Sequence, residues 1–175
     1  MKKRTFIAIE IPEKIKKEIL KIQEQLPDFG GKLTEQENFH ITLKFLGEID
    51  EFRMEKVKKR LKEIKFKTFE THLNKIGFFD NSDRGVIWIK IPNCEELQKE
   101  IDEKLDGLFE KEERFMGHLT IARTKYVEDK KKFLEELGKI KISPLKFHVK
   151  EFILKESIPK EQKHVYKNLE KYKLI

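Results

Sequence analysis

The chain has 175 residues, a net charge of +7 and one cysteine. That length suits one domain with a sizeable core and is short for two. A single Cys excludes an internal disulfide framework, which fits a reducing compartment. Charged residues make up 41% and apolar ones 38%, but the apolar residues cluster periodically, which argues for a folded protein with a heavily charged surface over a disordered chain. The basic excess favours polyanions.

In chain order, the opening MKKRTFIAIEIPEKIKK has too short an apolar run for a secretory leader, and nothing approaches a membrane span. A cytoplasmic location and a monomer are expected. Residues 5–11, TFIAIEI, alternate apolar and polar and predict a strand. Pro12 then opens a helix, with Ile15, Ile19, Leu20 and Ile22 on one face. Gly30-Gly31 marks a turn. FHITLKFLG at 39–47 is a strand, followed by a helix from about Asp50 to Ile64. FETHLNKIGFF at 69–79 reads as one long strand, and Asn81-Ser82-Asp83 as a turn.

The pattern then repeats, shifted by about 80 residues. GVIWIKI at 85–91 is a strand. Pro92 follows, then Asn93 as N-cap, and a helix with Leu97, Ile101, Leu105 and Leu108 on one face. HLTIART at 118–124 is a strand, leading to a helix near 128–137 and, past the Ser143-Pro144 turn, a long strand at 145–155. A last strand spans roughly 165–173. The expected fold is α+β: two pseudo-symmetric β-α-β-α-β units within a single domain, 1–175, with two antiparallel sheets flanking a central cleft and helices outside.

The chemistry sits at matched places of the repeat: His40-Ile41-Thr42 and His118-Leu119-Thr120. Residues two apart on a strand share a face, so each strand shows His and Thr on one side and buries Ile41, Leu43, Leu119 and Ile121 on the other. Two such strands facing each other would converge two imidazoles and two hydroxyls. Phosphodiester cleavage needs one group to take a proton from the nucleophile and another to protonate the leaving oxygen, and imidazole titrates in the right range. The hydroxyls can donate to the non-bridging oxygens. Arg123 adds a guanidinium suited to phosphate, although strict alternation turns it away from His118 and Thr120 unless the strand bends.

Other residues carry weaker readings. Lys44 shares the Thr42 face by alternation and is a candidate contact to the RNA backbone. Phe115 is a candidate base-stacking ring. Trp88 and Tyr166 read as core, His72 and His148 as a repeated structural position, and His164 as exposed. No metal-ligand set is visible, no Walker-type phosphate loop occurs, and no cofactor is expected.

HITLKFLG and HLTIAR resemble the two signature motifs of the two-histidine phosphoesterase superfamily. RTFIAIEIP, RGVIWIKI and the closing ESIPKEQKHVYKNLEKYKL further resemble the bacterial and archaeal RNA 2',3'-cyclic phosphodiesterases, also called 2'-5' RNA ligases. The resemblance covers nearly the whole chain. It implies a bilobal fold and metal-independent opening of a 2',3'-cyclic phosphate on RNA ends to a 2'-phosphate. It also implies, in some members, reversible 2'-5' joining of tRNA halves. It makes His40 and His118 catalytic, and Thr42, Thr120 and Arg123 phosphate-binding. His118 is taken as base and His40 as acid. Gly117 departs from a proline common before the second motif, which predicts a looser lead into that strand. Two alternatives share much of this pattern. One is a phosphodiesterase for a small cyclic nucleotide or a 2'-5' oligoadenylate. The other is a non-catalytic RNA-binding module, which has no need of paired His-x-Thr.

Overall fold

A computed structural model describes residues 1–81, 84–161 and 163–175. Ser82 and Asp83 of the expected turn lie outside the described residues. The elements run β1 (Lys3–Glu10), α1 (Glu13–Glu24), β2 (Gly30–Leu33), a 3-10 turn (Gln36–Asn38), β3 (His40–Ile49), α2 (Glu51–Lys62), β4 (Phe69–His72) and β5 (Ile76–Asn81). They continue with β6 (Arg84–Lys90), α3 (Glu95–Lys104), β7 (His118–Tyr126), α4 (Lys130–Gly138), β8 (Lys146–Val149), β9 (Glu151–Lys160) and β10 (Lys163–Lys173).

The helices form where spacing and capping agree. Ile15, Ile19 and Ile22 of α1 are buried. Asp50 accepts the Arg53 amide at 2.8 Å and Asp129 the Lys132 amide at 3.0 Å, each satisfying an amide that the helix itself leaves unpaired. The second repeat differs from expectation: Cys94, not Asn93, is the N-cap of α3. Asn93 adopts a left-handed φ of 68° and its side-chain amide donates to the Glu70 carbonyl at 3.1 Å. It is a turn residue that ties two loops, a use its short amide allows.

The strands pair antiparallel in one sheet of order β10-β9-β1-β3-β7-β6-β5, with β2 also on β7, and in a separate two-stranded sheet β4-β8. The helices and sheets follow the α+β expectation, with two refinements. First, the sheets of the two halves meet at the single register pair Ile41 and Leu119 of β3 and β7. Second, the long strands expected at 69–79 and 145–155 are each broken. Their first parts, β4 and β8, pair with each other. Their second parts cross over: β5 pairs with β6 of the C-terminal half, and β9 with β1 of the N-terminal half. Each half therefore supplies a strand to the other's sheet. The crossing points carry their own bonds, with the Leu73 amide donating to Leu145 O at 3.2 Å and the Asn74 amide to Lys90 O at 3.0 Å.

The expected turn at Gly30-Gly31 is instead the start of strand β2. A side chain at Gly31 would place its Cβ 2.2 Å from the Arg123 carbonyl oxygen, so β2 reaches β7 this closely only with glycine there. The core is contiguous and runs under both lobes, from Ile7, Ile41 and Phe152 to Ile87, Leu119 and Ile121. No helix among the described residues is long and apolar enough to cross a membrane.

Candidate active site

His40 and His118 are the first residues of β3 and β7. Each ring is fixed in the same way. His40 Nδ1 lies 2.7 Å from Asn38 O, and His118 Nδ1 lies 2.8 Å from Met116 O. A carbonyl oxygen only accepts, so both Nδ1 atoms carry the hydrogen and both Nε2 atoms are left to exchange protons. Because β3 and β7 are antiparallel with Ile41 opposite Leu119, His40 lies across from Thr120 and Thr42 across from His118. The alternation that exposes these four buries Ile41, Leu43, Leu119 and Ile121, all at 1% exposure or less.

Just beyond each threonine the strand bulges. On β1–β3, Ile7 pairs with Lys44 but Ala8 with Thr42, leaving Leu43 as the extra residue. On β6–β7, Ile87 pairs with Ala122 but Trp88 with Thr120, leaving Ile121 extra. A bulge flips the in–out parity of everything after it. Two sequence expectations change as a result. Arg123, which alternation sent away from the histidines, comes back to their face, and its charge is felt at His40. Lys44, expected beside Thr42, turns inward instead and is 2% exposed. Its ammonium pairs with Asp102 Oδ1 at 2.5 Å and donates to Glu110 O at 2.7 Å, so it does not reach a ligand. Phe45 takes the cleft-facing place that Arg123 holds in the other lobe, and its ring is 67% exposed. Sequence reading passed over Phe45; comparing the two motifs in register, with the bulge included, is what finds it.

The remaining candidates are placed less centrally. Phe115 is partly buried and packs against the hydrophobic core. His72 and His148 lie on the small β4–β8 sheet, away from the motif strands. Trp88 is buried, whereas Tyr166 is half-buried and meets His40 edge-on, with ring centroids 5.1 Å apart. Gly117 does not loosen the lead into β7. Its carbonyl accepts the Ile91 amide at 2.8 Å, and an added Cβ would sit 2.3 Å from Ile91 O. A hollow of about 700 Å³ lined by Lys32, Glu35, Pro159, Lys160, Glu161 and Lys163 lies beside the β9–β10 hairpin and contains neither histidine; the site is located by its chemistry, not by the depth of a pocket.

The two imidazoles differ in their surroundings. Burial pushes His40 down to about 4; the Asn38 carbonyl opposes this, while the positive charges of Lys155, Arg123 and His118 reinforce it. His40 is thus neutral at physiological pH, with a free lone pair on Nε2. No group of three or more His, Cys, Asp and Glu that could hold a metal ion occurs among the described residues.

The model of one family, described as LigT like phosphoesterase, matches residues 9–88 and again 90–166. A Methanocaldococcus jannaschii protein named RNA 2',3'-cyclic phosphodiesterase is 48% identical over 143 residues, covering 79% of this chain and 81% of its own length. A protein of the same name from Archaeoglobus fulgidus is 33% identical over 178 residues, covering 95% and 97%. The fold is shared with E. coli LigT in its apo form, with a TM-score of 0.81 at 21% identity over 99% of this chain and 98% of that one. It is shared also with the Thermus thermophilus protein TT0787, with a TM-score of 0.83 at 23% identity over 97% of each.

Proposed function

This chain belongs to the LigT-like phosphoesterase family, and from that membership we propose that it is a metal-independent RNA 2',3'-cyclic phosphodiesterase acting on RNA ends. The observation that carries the reading is the pair of Nδ1-anchored histidines at the join of β3 and β7, with Thr42, Thr120 and Arg123 on the same face. The strand exchange supports treating residues 1–175 as one catalytic domain. The lone buried cysteine, Cys94, suits a reducing cytoplasm, where the proposal has it act as a monomer.

In the proposed reaction a water attacks phosphorus in line with the 3' oxygen. One imidazole Nε2 takes the water's proton, the P–O3' bond breaks, and the other imidazole delivers a proton to O3'. The product is a 2'-phosphate with a free 3' hydroxyl. Thr42 and Thr120 donate hydrogen bonds to the non-bridging oxygens, and Arg123 offers its fork of N–H donors to the same oxygens, where charge sits in the transition state. The burial of His40 supports the opposite assignment to the one expected from sequence: in this proposal His40, the imidazole held neutral, is the base and His118 the acid. With an RNA 5' hydroxyl attacking in place of water, the P–O3' bond breaks in the same way, the same groups keep their roles, and the product is a 2'-5' bond, the ligase activity associated with the family.

Purified protein in EDTA, given a short RNA ending in a 2',3'-cyclic phosphate, is expected to yield the 2'-phosphate. A 3'-phosphate product, or turnover only of a free cyclic mononucleotide, would overturn the RNA-end reading. The pH profile tests the roles. With His40 as base, kcat/KM rises through about pH 4 as the imidazole loses its proton, and falls again only at the higher pH where the acid has lost its own. With His40 as acid, activity would instead fall as pH passes that value.

Phe45 is proposed as a stacking platform for the terminal base, because an exposed ring beside the phosphate site gives a nucleobase an apolar face. Phe45→Ala should raise KM for the RNA by about tenfold, from the roughly 1–3 kcal/mol that a base–aromatic stack contributes, with kcat little changed. An RNA whose terminal residue lacks its base should not register the substitution.

A further inference from the structure

The repeat places His40 and His118 at matching positions, yet the lobes around them are unequal. Beyond the histidine strand, the first lobe runs β1, β9 and then β10; the second runs β6 and β5 and ends there. Strand β10, which pairs with β9, has no counterpart among the described residues. Its effects converge on His40. The Tyr166 ring meets the His40 imidazole edge-on, centroids 5.1 Å apart at 84°. Phe6 packs against the imidazole too, at 5.0 Å, and Tyr166 and Phe6 touch each other at 5.1 Å, so the three rings form one cluster. Asn38, whose carbonyl receives the His40 Nδ1 hydrogen, is itself held by β10: its side-chain amide donates to the His164 carbonyl at 3.0 Å. Next along β10, the His164 ring stacks over Tyr166, 6.3 Å away at 14°. Among the described residues His118 has only Phe79 as a ring neighbour, at 5.4 Å.

We infer that Tyr166 is a positioning residue that makes the two matched histidines unequal, its ring packing together with Phe6 against the His40 imidazole and keeping water off it. Tyr166 acts through His40. The hydroxyl is not needed for this, and the aromatic ring is. Burial raises the Tyr166 phenol itself, against the opposing charges of Arg123 and Arg4, so it stays a neutral wall at working pH.

The charged groups that face His40 come from each element packed around it. Glu10 is its register partner on β1. Lys155 stands on β9, tied to Glu10 at 2.6 Å and to Asn168 at 2.7 Å. Arg123 and His118 stand on β7, and His164 on β10. None of these is removed by changing Tyr166, so a change in His40 on substitution reports the loss of the wall and not of a charge.

The test follows the imidazole nitrogens of both histidines by NMR as a function of pH. It compares the wild type with Tyr166→Phe, Tyr166→Leu and Tyr166→Thr; the last two keep residues that an edge strand accepts. In the wild type and Tyr166→Phe, His40 should titrate near 4. In Tyr166→Leu and Tyr166→Thr its midpoint should rise by about a unit or more, towards the ordinary value, while that of His118 stays in place. The kinetic signature is an acid limb of kcat/KM that moves up with His40, and a kcat lowered by about tenfold at unchanged KM. The inference is overturned if the His40 midpoint stays put in both variants, if His118 moves as far, or if Tyr166→Phe behaves like Tyr166→Leu. The kinetic arm rests on the proposed phosphodiesterase reading, but the titration does not, so failure to hydrolyse the RNA and failure of the Tyr166 assignment are separate results.

Discussion

Replacing either His40 or His118 by alanine should lower kcat/KM for RNA ending in a 2',3'-cyclic phosphate by about 10²- to 10⁴-fold, the range for loss of a positioned acid or base. The two losses should not add, because one in-line displacement needs both proton transfers, and groups that act as a unit give strongly non-additive effects. Folding should survive. Each imidazole opens its strand, and its hydrogen bond within the protein is the short-range one to the carbonyl two residues back. Single-turnover assays of the two single variants and the double, alongside thermal melts, check this. A folded variant that keeps activity within tenfold of wild type would remove that histidine from the chemistry and return the site to a binding module.

The second large effect is on stability and comes from Lys44. Its ammonium and the Asp102 carboxylate are nearly fully buried together. Asp102 Oδ2 also accepts from the Gln98 amide at 2.7 Å and the Glu112 backbone N–H at 2.9 Å. Burial pushes the Asp102 carboxyl up, but the Lys44, Glu112 and Gln98 hydrogen bonds outweigh it and hold the group below its ordinary value. Lys44→Met leaves that carboxylate buried without its cation and should cost about 3–5 kcal/mol. Removing both charges, in Lys44→Met/Asp102→Leu, should recover most of the loss, since a well-packed apolar pair often equals a buried ion pair.

The pH dependence has a definite sign. A carboxyl whose folded value is depressed contributes stability that is present above its unfolded value, near 3.9, and is lost as pH falls through the folded one. Wild type should therefore lose stability on acidification more steeply than the double variant. Urea midpoints at neutral and acid pH measure both effects. A Lys44→Met protein as stable as wild type would show that water or a neighbour already serves Asp102. The same network pins Glu110 and Glu112 in the stretch leading to Met116, whose carbonyl orients His118, so Lys44→Met should also lose activity beyond its loss of folded protein.

The paired His-x-Thr pattern was legible because it is local. His and Thr two apart on a strand share a face whatever the strand pairs with, and the repeat put both motifs in register. Helix faces such as Ile15, Ile19 and Ile22, and capping carboxylates such as Asp50 and Asp129, are equally local, set by the 3.6-residue period and by unpaired amides within one turn. Alternation stopped being a guide where a strand's path depends on its neighbour. The bulges at Leu43 and Ile121 arise from pairing with β1 and β6, and they alone return Arg123 to the cleft, bury Lys44 and expose Phe45. The broken strands at 69–79 and 145–155 gave no local sign, because the exchange of β5 and β9 is a choice of partner.

Local patterning was therefore enough for the α+β elements and for the residue types of the site. Which of these residues share the cleft, and which histidine is shielded, depended on the assembled sheet. The link that shields His40 joins Asn38 to His164, 126 residues apart along the chain, and at such separations only packing of the finished sheet decides which groups meet.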